Sequence, residues 1–441
     1  MSRITCMKSS KHSLSVLFPY PIMPERESKT TTTAKDEWAI LMDDSENYVK
    51  ILRSNTKPLI QRVPKVLYKQ ETNNRKLFIP EVIALGPYHH NNQDLKDMKH
   101  HKYLAAKQLI GTKPIHVFKA GINDVISKVR KCYKEELQMD DDKLVTMMFF
   151  DGCFLLRFID LFVKRKLDEL QMRAHLYGFI HKDILLLENQ VPYVVLKVLM
   201  NMTTKVDIDL FMGIMIGTSS NNTREAEAEP VHLLDLFRTT LLGKAAVTAP
   251  ILPNADRQLF RSVTELKEVG IEFKKSEKSC LRDVTFNEGY IHSYLSLPLI
   301  TIDDSFQSRF LNMIAMEICP DSKLEHAIQS YIWFMDCLID RADDVKELRS
   351  ANILVNYLGS DEQVANLFNE ISTDLDPDLR TYGEVLSGLQ RHRNNNVRVS
   401  FVRFYNTHFS SPWTAISFFA AAFLLLLTVV QTVFAVFPPK S

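Results

Sequence analysis

The last stretch of the chain constrains it most. From Ala415 to Phe437 there is no charge, proline or glycine. At ~1.5 Å per residue this predicts about 34 Å of helix, against a bilayer hydrocarbon core of ~30 Å. The pattern therefore predicts one C-terminal transmembrane helix over 413–437, with Pro438, Pro439, Lys440 and Ser441 after it. Ser411, Pro412 and Trp413 supply a cap, a first-turn proline and an interfacial aromatic. Arg391, Arg393, Arg398 and Arg403 precede the helix in a basic juxtamembrane neck, 391–412, and no Asp or Glu follows Glu384. The positive-inside rule then puts the N-terminal body in the cytoplasm, as a single-pass, tail-anchored membrane protein. The same arginines can rest on an anionic leaflet of the lipid bilayer. Within the helix, Ser417, Ala421, Leu424, Thr428, Gln431 and Ala435 fall on one stripe of small and polar side chains. Such a stripe permits close approach of a second helix, with Gln431 bonding across it, so self-association or pairing with a paralogue is expected.

Ahead of this helix, 441 residues suffice for one large or two ordinary domains. A formal net charge of +1 argues against nucleic acid as a partner, since that needs a basic face. The chain has only 13 glycines, well below the usual share of ~7%. Folds built on glycine-rich loops are disfavoured, and a mainly α body is expected. The cysteines, Cys6, Cys132, Cys153, Cys280, Cys319 and Cys337, form no Cys-x-x-Cys pair. Three of them (Cys153, Cys319 and Cys337) have apolar neighbours, which fits buried free thiols.

Residues 1–35 read as a disordered segment, too interrupted by Pro19, Pro21 and Pro24 for a cleavable signal. A helical domain over 36–390 follows. It opens with an amphipathic helix, Asp36 to Arg53, and then a proline-punctuated extended stretch from Val63 to His90. From Asp94 a helix carries Leu95, Met98, Ala105 and Leu109 on one face. Leu144 to Phe162 and Asp183 to Leu199 read as core helices, the second broken at Glu188-Asn189-Gln190 and restarted by Pro192. An exposed acidic loop is expected at 218–229, a helix from His232 to Leu242, and a small β-hairpin from Cys280 to Leu295. Asp303-Asp304-Ser305 and Ser360-Asp361-Glu362 each read as a helix cap. Between them, Leu324, Ile328, Tyr331, Met335 and Leu338 form a helical stripe.

The segments IPEVIALGPYHH (79–90), FFDGCFLL (149–156), DILLLENQVPYVVLKVL (183–199), HLLDLFRTTLL (232–242), TELKEVGIEFKK (264–275) and NYLGSDEQVANLFNEI (356–371) occur in this order, ahead of the apolar run. Together they resemble the plant family known as domain of unknown function 247, from about residue 37 to the end. The resemblance implies a largely helical domain with a C-terminal anchor and no established enzymatic activity. Some grass members are implicated as pollen-side determinants of self-incompatibility.

Candidate chemistry is sparse. His89-His90 and His100-His101 are the densest histidines, and Asp97 and His101 stand at i, i+4, where two metal ligands can share a helix face. No third ligand follows from the spacing, and GPYHH reads better as a structural turn. Asp374-x-Asp376-x-Asp378 opens like a calcium loop but has Leu379 and Val385 where glycine and glutamate are needed. Cys153 and Cys337 lack the electropositive setting of a nucleophile. Asp151 and Glu188-Asn189-Gln190 are polar groups in apolar surroundings, for which a helix-end or inter-helix hydrogen-bond network is expected. No catalytic residue, cofactor site or metal site is assigned. The first reading is a non-enzymatic interaction or signalling module with a protein partner. The others are an enzyme with a site near GPYHH, and an outward-facing recognition protein.

Overall fold

The computed structural model describes residues 59–68, 73–217, 229–244, 262–289, 292–320, 322, 324–395, 399–400 and 412–436. The chain divides into two units, Met1–Ser54 and Asn55–Ser441, of which the first lies outside the described residues. The segment expected to be disordered, the helix expected at 36–53 and residues 218–228 of the acidic loop lie outside them too.

The second unit is built around one helix. Asp140 caps it by accepting from the Lys143 N–H at 2.8 Å, and α4, Asp141–Val163, then runs with almost every apolar side chain buried. A helix apolar on all sides must be covered on all sides. Helices α1 (Lys99–Ile110), α2 (Ile115–Asn123), α6 (Tyr193–Met202) and α7 (Ile208–Ile216) pack around it, with α3 (Ile126–Lys131) and α5 (Leu176–Asp183) alongside. Helix α6 comes close because Gly152 has no side chain: a Cβ there would lie 2.6 Å from Leu199 Cδ1.

Helix α8 (Leu233–Leu242) joins this bundle to the next layer, touching both α7 and α10. After α9 (Val263–Glu268), strands β1 (Ile271–Lys275), β2 (Thr285–Asn287) and β3 (Ser293–Leu297) form a small sheet in the order β1-β3-β2. The expected hairpin is its β2–β3 pair, antiparallel with Thr285 opposite Ser296. Its first strand starts at Thr285, later than Cys280, and β1 adds in parallel on the other side of β3. Strand β4 (Ile300–Ile302) leads into α10 (Phe306–Ile318), α11 (Ala327–Leu338) and α12 (Ala342–Ser350). Strand β5 (Leu354–Asn356) then returns to pair with β4 in parallel. Helices α13 (Asp361–Ile371) and α14 (Gly383–Asn394) close this layer, and one contiguous core runs from Ile60 to Leu389.

The cap at Ser360 forms as the sequence predicts, whereas the N-cap of α10, Ser305, makes no side-chain cap bond and the Asp303 carboxylate instead braces the turn before it. Ser360 accepts from the Gln363 N–H at 3.2 Å. Asp303 Oδ1 accepts from the Ser305 N–H and hydroxyl, at 3.0 and 2.9 Å, ahead of α10. At α8 the cap is a histidine: His232 Nδ1 accepts from the Asp235 N–H at 3.2 Å, in a fully buried ring. The proton of the neutral ring therefore sits on Nε2. Burial pushes this imidazole down to about 4, since protonation would charge a buried ring and place an N–H against the Asp235 N–H. The ring then protonates more readily in the unfolded chain, so stability is complete above ~6.5 and falls as the pH drops toward 4. Urea unfolding should show about 2–3 kcal/mol lost from His232 alone between pH 7 and ~4.5. His232→Asn, which keeps a cap acceptor that does not titrate, should make the acid limb shallower by that amount.

The last helix, α15 (Pro412–Val436), corrects two expectations. No helix among the described residues is long and apolar enough to cross a membrane. Ser417, Thr428, Gln431 and Thr432 interrupt the apolar run of α15. The transmembrane helix, the single-pass membrane localisation and the cytoplasmic placement that depended on it are not supported. The mainly α body with small sheets stands.

Candidate functional site

Residues 80–88 cross the α4 bundle as an irregular strap, because Pro80 and Pro87 bar a helix. Such a strap leaves backbone N–H groups that no helix or strand ladder satisfies. Side chains do so instead. Asp183 accepts from the N–H groups of Glu81, Val82 and Ile83 at 2.9, 2.8 and 2.8 Å. Asn189 accepts from Leu85 N–H at 2.6 Å and donates to the carbonyls of Ile83 and Asp183, both at 2.9 Å. Asp151 accepts from Gly86 N–H at 2.9 Å, and the Lys102 ammonium bonds both Asp151 and the Ala84 carbonyl. Gln190 donates to the carbonyls of Ile184 and Leu186 and accepts from Leu234 N–H. The network expected between helices is thus largely a set of fasteners holding an extended strap, since a helix satisfies most of its own backbone and a strap does not.

The GPYHH turn faces Glu188. This carboxylate accepts from Val63 N–H at 2.8 Å, Arg62 Nη1 at 3.1 Å and the Tyr68 hydroxyl at 3.3 Å. His89 Nε2 stands 3.6 Å away, beyond hydrogen-bond reach and without another partner among the described residues. Burial, and then the Arg62 charge, pushes His89 down to about 4. Among the described residues no three His, Cys, Asp or Glu side chains gather as a metal site.

A sizeable opening lies elsewhere among the described residues. A cleft of about 930 Å³ separates α5 and the end of α7 from the β4–α10 turn. Its walls include Phe162, Phe179, Ile214, Phe237, Phe306 and Tyr357. Phe179, Ile214 and Tyr357 are large apolar or aromatic side chains left exposed. A smaller hollow of about 480 Å³ adjoins it, sharing Phe162 and Ile214. Arg309 reaches the cleft from α10 and is only 8% exposed. Among the described residues its guanidinium makes one bond, from Nη2 to Asp303 Oδ1 at 3.0 Å, and burial outweighs that partner, holding the group below its usual range. His181, on α5, lines the same space with its ring edge-on to Phe158 and Phe162. Its Nε2 is buried without a partner among the described residues. Burial, then the Arg309 charge, pushes it down to about 4. Lys182 pairs with Glu81 at the rim.

The arrangement can be set beside known proteins. Residues 60–427 match the family model for a plant protein of unknown function, domain of unknown function 247. The chain belongs to this family. Family relatives include UPF0481 protein At3g47200 from Arabidopsis thaliana, 29% identical over 82% of this chain and 83% of its own length. Putative UPF0481 protein At3g02645, from the same plant, is 20% identical over 86% and 90%. No solved structure matches the chain.

In this family member the residues singled out from the sequence do not converge. Arg391 and Arg393 occupy the last turn of α14, where cations complement the helix dipole. Arg398 and Arg403 lie outside the described residues. Ser417, Ala421, Leu424, Thr428 and Gln431 are exposed on α15, and the side chain of Ala435 is not described. Two hydroxyls of that stripe bond back into their own helix, Ser417 to the Trp413 carbonyl and Thr428 to that of Leu424, each at 2.8 Å. Asp378 is occupied by Arg380, and burial pushes the Cys153 thiol up to about 12. The cleft residues carried no local signal: His181 and Arg309 are far apart in sequence and belong to no motif of recognised spacing.

Proposed function

We propose that this chain is a non-enzymatic recognition protein, a rigid helical body that presents the α5–α10 cleft to a ligand. One observation carries the reading. The polar residues best placed for chemistry, Asp151, Asp183, Glu188 and Asn189, are occupied in holding backbone, while the cleft beside α5 and α10 is walled mainly by apolar side chains. Concave apolar sites with a few convergent polar groups are the usual form of ligand sites. Recognition in self-incompatibility, implied by resemblance for some grass members, is one instance of this class.

Gly178 offers a clean test. It lines the cleft, and a Cβ there would meet nothing within 4 Å. Replacing a helical glycine also favours the helix by up to ~1 kcal/mol. Gly178→Trp should therefore obstruct the cleft without unfolding the chain. Native mass spectrometry of the protein purified from plant tissue should reveal a bound species that Gly178→Trp lacks. A bound species retained by the variant, or none in either protein, would overturn the reading. Conversion of the released species on incubation would favour an enzyme.

A further inference from the structure

We propose that the cleft takes an apolar carboxylic acid, with its carboxylate on Arg309 and its hydrocarbon body along Phe179 and Ile214. This names a ligand class for the recognition reading and rests on it. The argument starts from Arg309. A guanidinium carries five N–H donors in a planar fork that matches a carboxylate. Here one donor is used, toward Asp303, and no other bond of Arg309 occurs among the described residues. The unused donors are not among the fully buried unpartnered atoms, so they stay accessible to an incoming acceptor.

Asp303 does not fill the fork. Its Oδ1 also accepts from the Ser305 N–H and hydroxyl, so it is anchored in the turn before α10. His181 also lines the cleft, close enough to Arg309 to feel its charge, with its unpartnered Nε2 buried away from the opening. The other charges are accounted for: Lys182 is paired with Glu81, and Asp304 is exposed at the mouth. Beside Arg309 the cleft thus offers unused N–H donors, and Phe179 and Ile214 supply an apolar wall. A hydrogen-bond-accepting head on an apolar body fits both. A carboxylate fits best, because it bonds the fork in two places and adds charge to the interaction. The cleft volume of about 930 Å³ is within the range of small-molecule sites.

The test uses the full chain and three probes of matched length: decanoate, decan-1-ol and decylamine. Calorimetric titration should show saturable decanoate binding at least ~10-fold tighter than either of the others, the ratio that one charge-assisted contact supplies. Arg309→Leu should reduce decanoate to the affinity of decan-1-ol. Gly178→Trp should abolish binding of all three, and it gives a second readout if Arg309→Leu fails to fold. Equal affinity for decanoate and decan-1-ol would overturn the proposal, as would preference for decylamine or decanoate binding that survives Gly178→Trp. If the tissue-purified protein carries a species displaced by Gly178→Trp while decanoate is not preferred, the recognition reading stands and the ligand class fails.

Discussion

Glu317→Ala is expected to destabilise the protein by about 3–5 kcal/mol, the cost of leaving a buried charge without its partner. Glu317 lies on α10 with its side chain fully inaccessible. Its Oε1 accepts from Arg238 Nε and Nη2 at 3.0 and 2.7 Å and from the Ile328 N–H at 2.9 Å. Its Oε2 accepts from the Gln329 N–H at 3.2 Å. One carboxylate thus neutralises a guanidinium on α8 and satisfies two N–H groups in the first turn of α11, where an anion is also favoured by the helix dipole. Among the described residues, truncation leaves the Arg238 charge with only the Glu325 carbonyl at 2.7 Å. The deficit should appear in the urea midpoint. Glu317→Gln, which keeps an acceptor and the shape, should lose less. The double change Glu317→Met with Arg238→Met should recover most of the loss, since apolar replacement of a whole buried pair is often tolerated. A Glu317→Ala protein within ~0.5 kcal/mol of the natural chain would mean that the pair is not closed in solution.

The reach of the sequence follows from the range of the interactions. The Ser360 cap, the restart of a helix at Pro192 and the burial of Leu144 to Phe162 depend on neighbours a few residues away, so they are legible. The Arg238–Glu317 pair spans 79 positions, and neither residue carries a mark of its partner. The parallel pairing of β1 with β3 has no local turn to announce it, whereas the antiparallel β2–β3 hairpin does. Asp151 and Glu188-Asn189-Gln190 stand out as polar residues in apolar surroundings, and the need for partners is legible. Their partners are the backbone of an irregular strap, which no periodicity encodes. The cleft is least legible: His181 and Arg309 are ordinary residues of two helices until the fold sets them on one cavity. At the C-terminus the sequence reading went too far. An apolar run alone predicts a membrane span, and no helix among the described residues is long and apolar enough to cross one.

Gly86→Ala should cost about 2–5 kcal/mol, which makes the GPYHH turn a structural element before it is anything else. Two effects combine. Gly86 has φ +69°, a region where a side chain costs roughly 1–2 kcal/mol. Its missing Cβ would also lie 2.6 Å from the Gln190 carbonyl oxygen and 3.1 Å from the Tyr133 hydroxyl, an overpacking of ~1–3 kcal/mol. Neither neighbour can yield cheaply. Tyr133 donates its hydroxyl to that same Gln190 carbonyl at 3.1 Å, Gln190 is bonded through its side chain to three backbone groups, and Gly86 is itself held by Asp151. Gly217 separates the two effects. It ends α7 at φ +81° and ψ +26°, and a Cβ there would come no nearer than 4.0 Å to Thr301 Oγ1. Gly217→Ala should therefore show the backbone cost alone, and the difference between the two variants in chemical denaturation measures the packing at the strap. Equal losses would mean that the strap relaxes around a methyl group, and the fasteners contributed by Asp151, Asn189 and Gln190 would then be looser than their geometry implies. A larger loss at Gly86, with Asp151→Ala producing a deficit that does not add to it, would establish strap and fasteners as one cooperative unit. Such a unit would hold Glu81 and Lys182 in place at the cleft rim, linking the rigidity of the body to the shape of the site it presents.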